Sequence, residues 1–551
     1  DGLLRPPTAL DLGSSGQLPP AWDTLTLRAV LWFAGLAYSP KGRIFALQLL
    51  IPIELPLMKH LLSLALLAAC SALPVAAQSA SDSLGLRCAT EVFSLPHRPF
   101  MHKIVAFSPE AQLSVKGLPK GLRWNAQRRL IEGTAPAAGS YSYSLIVSSG
   151  KQQRTIPAQL TVSKSLGLAR PFMGWISWNV VEGNISASIV RQVADAMTTQ
   201  GLSAAGYRYL IIDDLWHAPQ RAADGATQPD PKKFPEGMKP VVDYVHDRGL
   251  KFGIYSDAAE RTCAGAYGSL GYEQQDARTY AQWGVDLLKY DYCHAPKDAA
   301  TAEERYRTMG TALREAGGIL LYMCEWGARK PWLWGARTGA SAWRATYDTR
   351  DCWVGKPGGI GVTQSIEDMK GLWPYSGVNR FNDADMMCVG IHGTGKSSSD
   401  LCATGPGMTQ DEYTTQFALW CMWSSPLLLS FDLTKPISPE NKRLITNADL
   451  IALDQDELGQ QAEPILEDQG IIYFMKDLTN GDVALSATNL KDSEQTAYFD
   501  FTRFSALKAK ARYRVRDCVE QRTLPAVQGS LSTAVRPHAT VVYRLSRLAR
   551  R

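Results

Sequence analysis

In the stretch VDLLKYDYC, Lys289 and Asp291 follow three apolar residues, Val285, Leu287 and Leu288. Positions two apart on a strand share a face, so a cation and a carboxylate are expected to project together from the end of a buried strand. Similar groups end other strand-like segments: Trp178, Asp213 and Asp214, Tyr255 and Asp257, Glu325, Arg344 and Asp348, and Asp383 and Asp385. One such acid reads as a helix N-cap. Repeated around a set of strands, the pattern instead defines a pit of carboxylates, cations and aromatic rings. That mixture suits a polyhydroxy ligand, because charged groups hold hydroxyls and ring faces lie against C–H surfaces. Two carboxyls in such a pit can hydrolyse a glycosidic bond, one attacking and the other moving a proton. Asp291 is the candidate nucleophile. Lys289 is expected to hold it ionised and to donate a hydrogen bond to the ligand. A Lys–Asp pair that only fixes strand register is the structural alternative. The chain has only 8 His, with no paired His motif at a strand end, so neither a metal nor another cofactor is expected.

The elements that must position these residues alternate between strand and helix from 168 to 462. Candidate strands are 172–178, 208–214, 251–257, 285–291, 319–326, 343–348, 380–386 and 425–432. Between them, Met238, Val241, Val242 and Val245 fall at helical spacing before Gly249, and Ile189, Val193 and Met197 repeat the pattern. Eight such units predict a (β/α)8 TIM barrel, whose active sites lie where the strands end. Residues 84–165, with turn glycines and the alternating SYSYSLIV, predict an N-terminal Ig-like β-sandwich. Residues 463–548, with IIYFMKD, DVALSATNL and ATVVYRL, predict a C-terminal antiparallel β-sandwich. The expected class is therefore multidomain, α/β plus all-β.

A formal charge of +5 over 551 residues, with no basic block interleaved with aromatics, excludes nucleic acid as an expected partner. The 15 Trp and 21 Tyr suit sugar faces as well as cores. MKHLLSLALLAACSALPVAAQSA has a basic opening at Met58, an apolar run and small residues at Val75, Ala76 and Ala77, the pattern of a secretory signal peptide. Translation is accordingly expected to begin at Met58, with 58–77 as the signal and 1–57 as upstream, non-native sequence. The alternative is a true extension with an internal apolar helix. Leu67-Ala68-Ala69-Cys70 resembles a bacterial lipobox, which would place a lipid anchor on Cys70 in competition with cleavage after Ala77. Both routes export the chain to the periplasm or beyond, where disulfides are permitted. Beyond the signal no stretch is apolar enough to span a membrane. Nine cysteines remain besides Cys70, an odd number that leaves at least one unpaired.

The segments MGWISWN, LIIDDLW, GIYSD, TCAG, LLKYDYC, CEWG, WRATYD and FNDADMM occur in that order and are followed by SPLLLSFDL and NADLIALDQDELGQQ. Together they resemble glycoside hydrolase family 27, the α-galactosidases or melibiases. The resemblance implies that Asp291 is the nucleophile and that Asp348, four residues after the sugar-binding Arg344, is the acid/base. It implies a galactose pocket in which Trp178 forms an apolar wall. Asp213 and Asp214 would accept hydrogen bonds from the distal hydroxyls, beside Tyr255 and Lys289. Cys324, Glu325 and Trp326 would surround the 2-position, and Asp385 and Met386 would lie near the leaving group. A galactose-containing oligo- or polysaccharide is the implied partner. The reaction would retain configuration, with carboxyls ~5–5.5 Å apart.

Departures from the family pattern are Tyr292, where Gly or Asn is common, and Phe381 and Ala384 in place of Trp and Pro. Cys263 and Cys293 follow neighbouring strands, and a disulfide between them would brace the loops over the nucleophile. Cys388 and Cys402 are a second candidate pair. The GLP…GL…GT-x-P pattern of the N-terminal segment resembles immunoglobulin-like modules of secreted bacterial proteins and implies a spacer. Family relatives act on α-N-acetylgalactosaminides or β-L-arabinopyranosides. The bulk of Glu325 and Trp326 and the Asp213-Asp214 pair favour plain galactose. A sugar-binding surface protein without catalysis is the reading from another class, and the complete Asp291–Asp348 pair argues against it.

Overall fold

The computed structural model describes residues 36–38, 44–46, 84–355, 358–393 and 406–549. The chain divides into two compact units, Asp1–Gln78 and Ser79–Arg551. In the first, Leu36–Tyr38 pairs antiparallel with Ile44–Ala46. The expected signal peptide, Cys70 and Cys402 lie outside the described residues.

The second unit is organised around eight parallel strands: β1 (Met173–Ile176), β2 (Tyr209–Ile211), β3 (Lys251–Asp257), β4 (Leu287–Asp291), β5 (Leu320–Cys324), β6 (Ala342–Arg344), β7 (Phe381–Asp383) and β8 (Leu427–Leu429). Their order is β7-β6-β5-β4-β3-β2-β1-β8, and a parallel bridge between Met387 and Leu429 joins the two edges. The sheet is TIM-like. Intervening helices include α1 (Ala187–Thr199), α2 (Lys239–His246), α3 (Glu273–Trp283), α4 (Ala299–Glu315), α5 (Val362–Lys370) and α6 (Gln410–Trp423). Helix α2 buries Val241, Val242 and Val245, as the spacing predicts, and Gly249 takes φ +68° just beyond its end. Ser186 and Asp298 cap α1 and α4 by accepting the backbone N–H groups of Ile189 and Thr301.

Strand alternation places the site. Ile176, Ile211, Leu287, Tyr322, Ala342, Phe381 and Leu428 form one apolar cluster inside the sheet. Leu210, Leu288, Tyr290, Met323 and Trp343 belong to the larger cluster that includes the helices' buried faces. Two residues beyond the inner layer, the same face turns polar: Trp178, Asp213, Lys289, Cys324, Arg344 and Asp383. Asp291 continues the β4 face two residues further. The apolar plug below therefore positions the chemistry above it.

Close approach of neighbouring strands fixes Gly174 on β1. A Cβ there would lie 2.2 Å from the Tyr209 carbonyl oxygen, which the sheet holds in place. Gly174→Ala is expected to destabilise the fold by about 1–3 kcal/mol, the cost of overpacking, as a lower midpoint in urea denaturation.

Before the TIM-like sheet, a four-stranded sheet (Glu91–Ser94, Gln112–Lys116, Gly139–Ser149, Gln152–Val162) accompanies a three-stranded one (Pro99–Lys103, Leu122–Asn125, Leu130–Thr134). Val92, Phe100, Ile131, Leu145 and Leu160 make their shared core. The guanidinium of Arg380, just before β7, donates to the Glu91 carbonyl at 2.8 Å, tying this part to the central sheet. After the central sheet, six-stranded and two-stranded antiparallel sheets form the C-terminal sandwich around Leu485, Phe499, Val515 and Leu545. Helix α6 is buried on nearly every side because Thr415 also reaches the sandwich, donating to the His538 carbonyl at 2.6 Å. A capping box of Thr409 and Glu412 starts it.

Candidate active site

A cavity of about 520 Å³ opens where the strands end, lined by Trp178, Asp213, Asp214, Tyr255, Lys289, Asp291, Cys324, Trp326, Arg344, Asp348 and Met386. Asp291 ends β4 and is 4% exposed. Its Oδ2 accepts the Tyr255 hydroxyl at 3.1 Å, and its Oδ1 accepts the Tyr292 N–H at 2.9 Å. These bonds orient the carboxyl from two sides.

Lys289 does not bond to Asp291. Its Nζ pairs with Asp213 Oδ2 at 2.7 Å, and both side chains are about 5% exposed. Asp213 sits in the loop after β2, where Ser177 Oγ accepts its N–H and its own Oδ1 accepts the N–H of Asp214. The next acid, Asp214, accepts N–H groups from Leu215 and Ala264. Each carboxylate keeps lone pairs free for further hydrogen bonds. Breaking a buried pair such as Lys289–Asp213 costs about 3–5 kcal/mol, because the remaining charge is left uncompensated.

Asp348 stands on the loop after β6 and is the most accessible of the acids, with its side chain 34% exposed. Arg344, nearly fully buried, binds it through Nη2 at 3.1 Å and binds Asp385 through Nη1 at 2.8 Å. Asp385 in turn accepts the Thr349 N–H at 2.7 Å, which fixes the residue next to Asp348. Asp385 holds φ +82° and Trp326 φ +57°, left-handed conformations that non-glycine residues adopt where surroundings impose them.

A family model described as alpha galactosidase A matches residues 170–456, more than half of the chain. The chain belongs to the alpha-galactosidase A family. A second model, the alpha galactosidase C-terminal beta sandwich domain, matches 468–545. An alpha-galactosidase A of Cellvibrio japonicus is 40% identical over 358 residues, 63% of this chain and 83% of the relative. Among solved structures, alpha-galactosidase I of Mortierella vinacea is 30% identical with a TM-score of 0.63, covering 69% of this chain and 97% of its own. A candidate alpha-galactosidase of Bacteroides fragilis is 35% identical with a TM-score of 0.65, covering 85% and 99%.

Within this family member, the residues expected at the pocket separate into those on its wall and those behind it. Glu325 is not on the wall. It is fully buried, and its Oε2 accepts both the Arg329 N–H and the Arg329 guanidinium. Asp385 also stands behind the wall and reaches the cavity through Arg344. The strands are shorter than expected, so Asp213, Asp214, Asp348 and Asp385 all stand on loops. Glu182, Leu215, Tyr347 and Arg350 line the cavity without having been anticipated. Leu215, Tyr347 and Arg350 lie on loops after β2 and β6 and Glu182 begins a short 3-10 helix (Glu182–Asn184) after β1, segments where periodicity carries no signal. Left-handed conformations at Glu182 (φ +45°) and Leu215 (φ +66°) turn the chain there.

Cys263 and Cys293 form the expected disulfide, with Cα atoms 5.1 Å apart. Potential ligand atoms of these two cysteines, Asp257 and Asp291 lie within 4.8 Å of one another. With the sulfurs bonded to each other, thiolate ligation of a metal there is closed.

Burial is the largest influence on Asp291 and pushes its carboxyl up to about 7, with Lys289 the strongest opposing influence. The expected ionising effect of Lys289 therefore exists as a field across the site, and burial outweighs it. Burial likewise pushes Glu325 to about 7 and Asp383 to about 6. The folded chain thus holds protons that the unfolded chain, with ordinary carboxyls near 4, has released. Stability from these groups is complete below about pH 4 and is lost as pH rises through 6 to 7. Thermal melts are expected to show Tm falling across that window, and Glu325→Gln should make the fall smaller, with Asp291 and Asp383 left to titrate.

Proposed function

We propose that the chain is a retaining, exo-acting α-galactosidase that hydrolyses terminal α-D-galactosyl residues of oligo- or polysaccharides. The observation that carries this reading is the meeting of Asp291 and Asp348 in one cavity with Trp178, Asp213, Asp214 and Lys289. Asp291 attacks the anomeric carbon while Asp348 gives its proton to the leaving oxygen, and the glycosidic bond breaks. A galactosyl ester forms on Asp291. Water, deprotonated by Asp348, then attacks the same carbon and frees Asp291, so two inversions leave the product α. Asp213 and Asp214 accept hydrogen bonds from hydroxyls far from the anomeric carbon, Lys289 donates one, and Trp178 covers a C–H face. Arg344 holds Asp348 and Asp385 together, so the acid/base is placed before substrate arrives.

Because the nucleophile must be ionised, kcat/KM is expected to fall as pH drops below about 7 in the free enzyme. Trp326 lines the cavity, and the family resemblance puts its bulk beside the sugar's 2-position, where an N-acetyl group would need room. Plain galactosides are therefore the substrates, and Trp326→Ala is expected to improve the ratio of N-acetylgalactosaminide to galactoside turnover by about 10-fold or more. Incubation with nitrophenyl α-galactoside, α-N-acetylgalactosaminide and β-L-arabinopyranoside, with the first-formed sugar followed by proton NMR, tests the whole reading. Rapid release of α-galactose is expected. No turnover of any of the three would leave a sugar-binding protein.

The same reading makes the central sheet a closed (β/α)8 barrel. The two sheets at 84–165 form an Ig-like spacer. A match covering 85% of the chain with the Bacteroides fragilis structure supports a family arrangement that includes this part. Export through the signal at 58–77, with an anchor at Cys70 if the lipobox is used, is in keeping with the Cys263–Cys293 disulfide. Mass spectrometry of the mature N-terminus in the native host distinguishes cleavage after Ala77 from lipidation at Cys70.

A further inference from the structure

One buried acid beside the nucleophile has no part in the reaction above. Asp257 ends β3, is fully buried, and is the register partner of Asp291 on β4. It stands behind the cavity wall. Its Oδ2 accepts the Cys293 N–H at 2.9 Å and lies 3.9 Å from Cys263 Sγ. Its Oδ1 has no hydrogen-bond partner. A carboxyl oxygen of Asp257 lies within 4.8 Å of one on Asp291. Among the described residues Asp257 joins no ion pair; Asp291 and Asp214 are the acids that act on it, Tyr255, Tyr290 and Tyr306 lie near it, the Ala259 amide favours its ionised form, and the Arg305 guanidinium is held by the neighbouring Ala258 carbonyl at 2.7 Å. No cation among the described residues pairs with the Asp257 carboxyl itself. An anion at this place would have an orphaned oxygen and a like charge as its nearest neighbour.

We propose that Asp257 is a positioning residue that remains a neutral carboxylic acid throughout the cycle, anchoring the Cys293 amide behind Asp291 without adding a second negative charge to it. Cys293 is bonded to Cys263, and the Tyr255 hydroxyl that donates to Asp291 also lies 3.4 Å from Cys263 Sγ. A shift at the Cys293 amide is therefore transmitted to the nucleophile from two sides. Burial, with Asp291 as the next influence, pushes Asp257 up to about 9, above the value of about 7 for Asp291. Both acids are pushed up from the ordinary carboxyl range, so the pair retains a proton where isolated carboxyls have lost theirs, and the field of Lys289 on Asp291 favours placing it on Asp257. Lys289, the cation that favours the ionised form of Asp291, bonds to Asp213 instead of entering between the two acids.

This inference rests on Asp291 being the nucleophile, and the test separates the two. Asn at 257 keeps a carbonyl to accept the Cys293 N–H and cannot ionise, whereas Ala offers neither. Asp257→Ala is expected to lower kcat about 10²-fold with KM little changed, as for a small misplacement of the reacting group, and Asp257→Asn to recover most of that loss. The acid limb of kcat/KM should stay in place in Asp257→Asn. Between pH 7 and 9, the infrared difference spectrum of wild type minus Asp257→Asn should contain the carbonyl band of a protonated carboxylic acid. An acid limb shifted down by about one unit or more would mean that a negative charge had been removed, and would overturn the proposal. So would absence of the band, a readout that does not depend on whether Asp257→Ala folds. Covalent trapping of wild-type Asp291 with a fluorinated galactosyl donor reports separately on the nucleophile. A labelled Asp291 with a shifted limb defeats only the inference about Asp257, and an unlabelled Asp291 defeats the mechanism itself.

Discussion

Asp291→Asn is expected to lower kcat by about 10⁴-fold or more, the scale on which removing a catalytic nucleophile acts. Substrate binding should survive, because the amide has nearly the same shape: its oxygen can accept the Tyr292 N–H while its NH2 group donates to the Tyr255 hydroxyl oxygen. The loss should not depend on the leaving group, since no nucleophile remains for any substrate. A smaller nucleophile-deleting change, Asp291→Ala, leaves space on that face. Added azide should then react there once and give β-galactosyl azide, the inverted product. Steady-state kinetics with calorimetric measurement of galactose affinity check both halves.

Asp348→Ala should behave differently. General acid–base help is worth about 10²–10⁴-fold, so hydrolysis of a natural galactoside with a poor leaving group is expected to fall by that amount. An aryl galactoside whose phenol leaves without protonation should form the covalent intermediate at nearly the normal rate and then stall, because no base activates water. A burst of phenol followed by a slow steady state is the expected trace. Azide, which needs no base, should restore turnover and give α-galactosyl azide, the retained product. Opposite azide configurations from the two variants would assign the two roles by chemistry instead of by rate. The Arg344 contacts to Asp348 and Asp385 make folding a separate concern here, and a circular dichroism melt of each variant controls for it.

Much of this site was legible in the sequence because strand alternation is a strict rule. Leu287, Lys289 and Asp291 had to share a face, and Leu287 joins the apolar layer inside the sheet. The predicted strand 251–257 matches β3 from end to end, and Ile471–Asp477 matches its predicted strand equally well. Elsewhere strands were read too long. Conserving apolar character past Ile211 or Arg344 extended those segments into loops whose backbone hydrogen bonds go to side chains, as with the Asp213 N–H on Ser177 Oγ. Contact partners were less legible than faces. Lys289 has two acids within its reach, and only the three-dimensional approach of the β2 loop decides that Asp213 takes it. Glu325 is turned from the cavity for a similar reason. Arg329, four residues on, captures it through both a side-chain and a backbone donor. Asp257 showed its face in the sequence but not its task, because nothing along the chain announces an unpartnered oxygen.

The most direct measurement is to trap the enzyme with an activated galactosyl donor whose fluorinated ring slows the second step, digest it, and locate the added mass by peptide sequencing. The account predicts one equivalent of sugar per chain, on Asp291, with Asp348→Ala still labelled and Asp291→Asn not. Sugar carried on any other residue, or full hydrolysis with β-galactose as the first product and no labelled peptide, would contradict it.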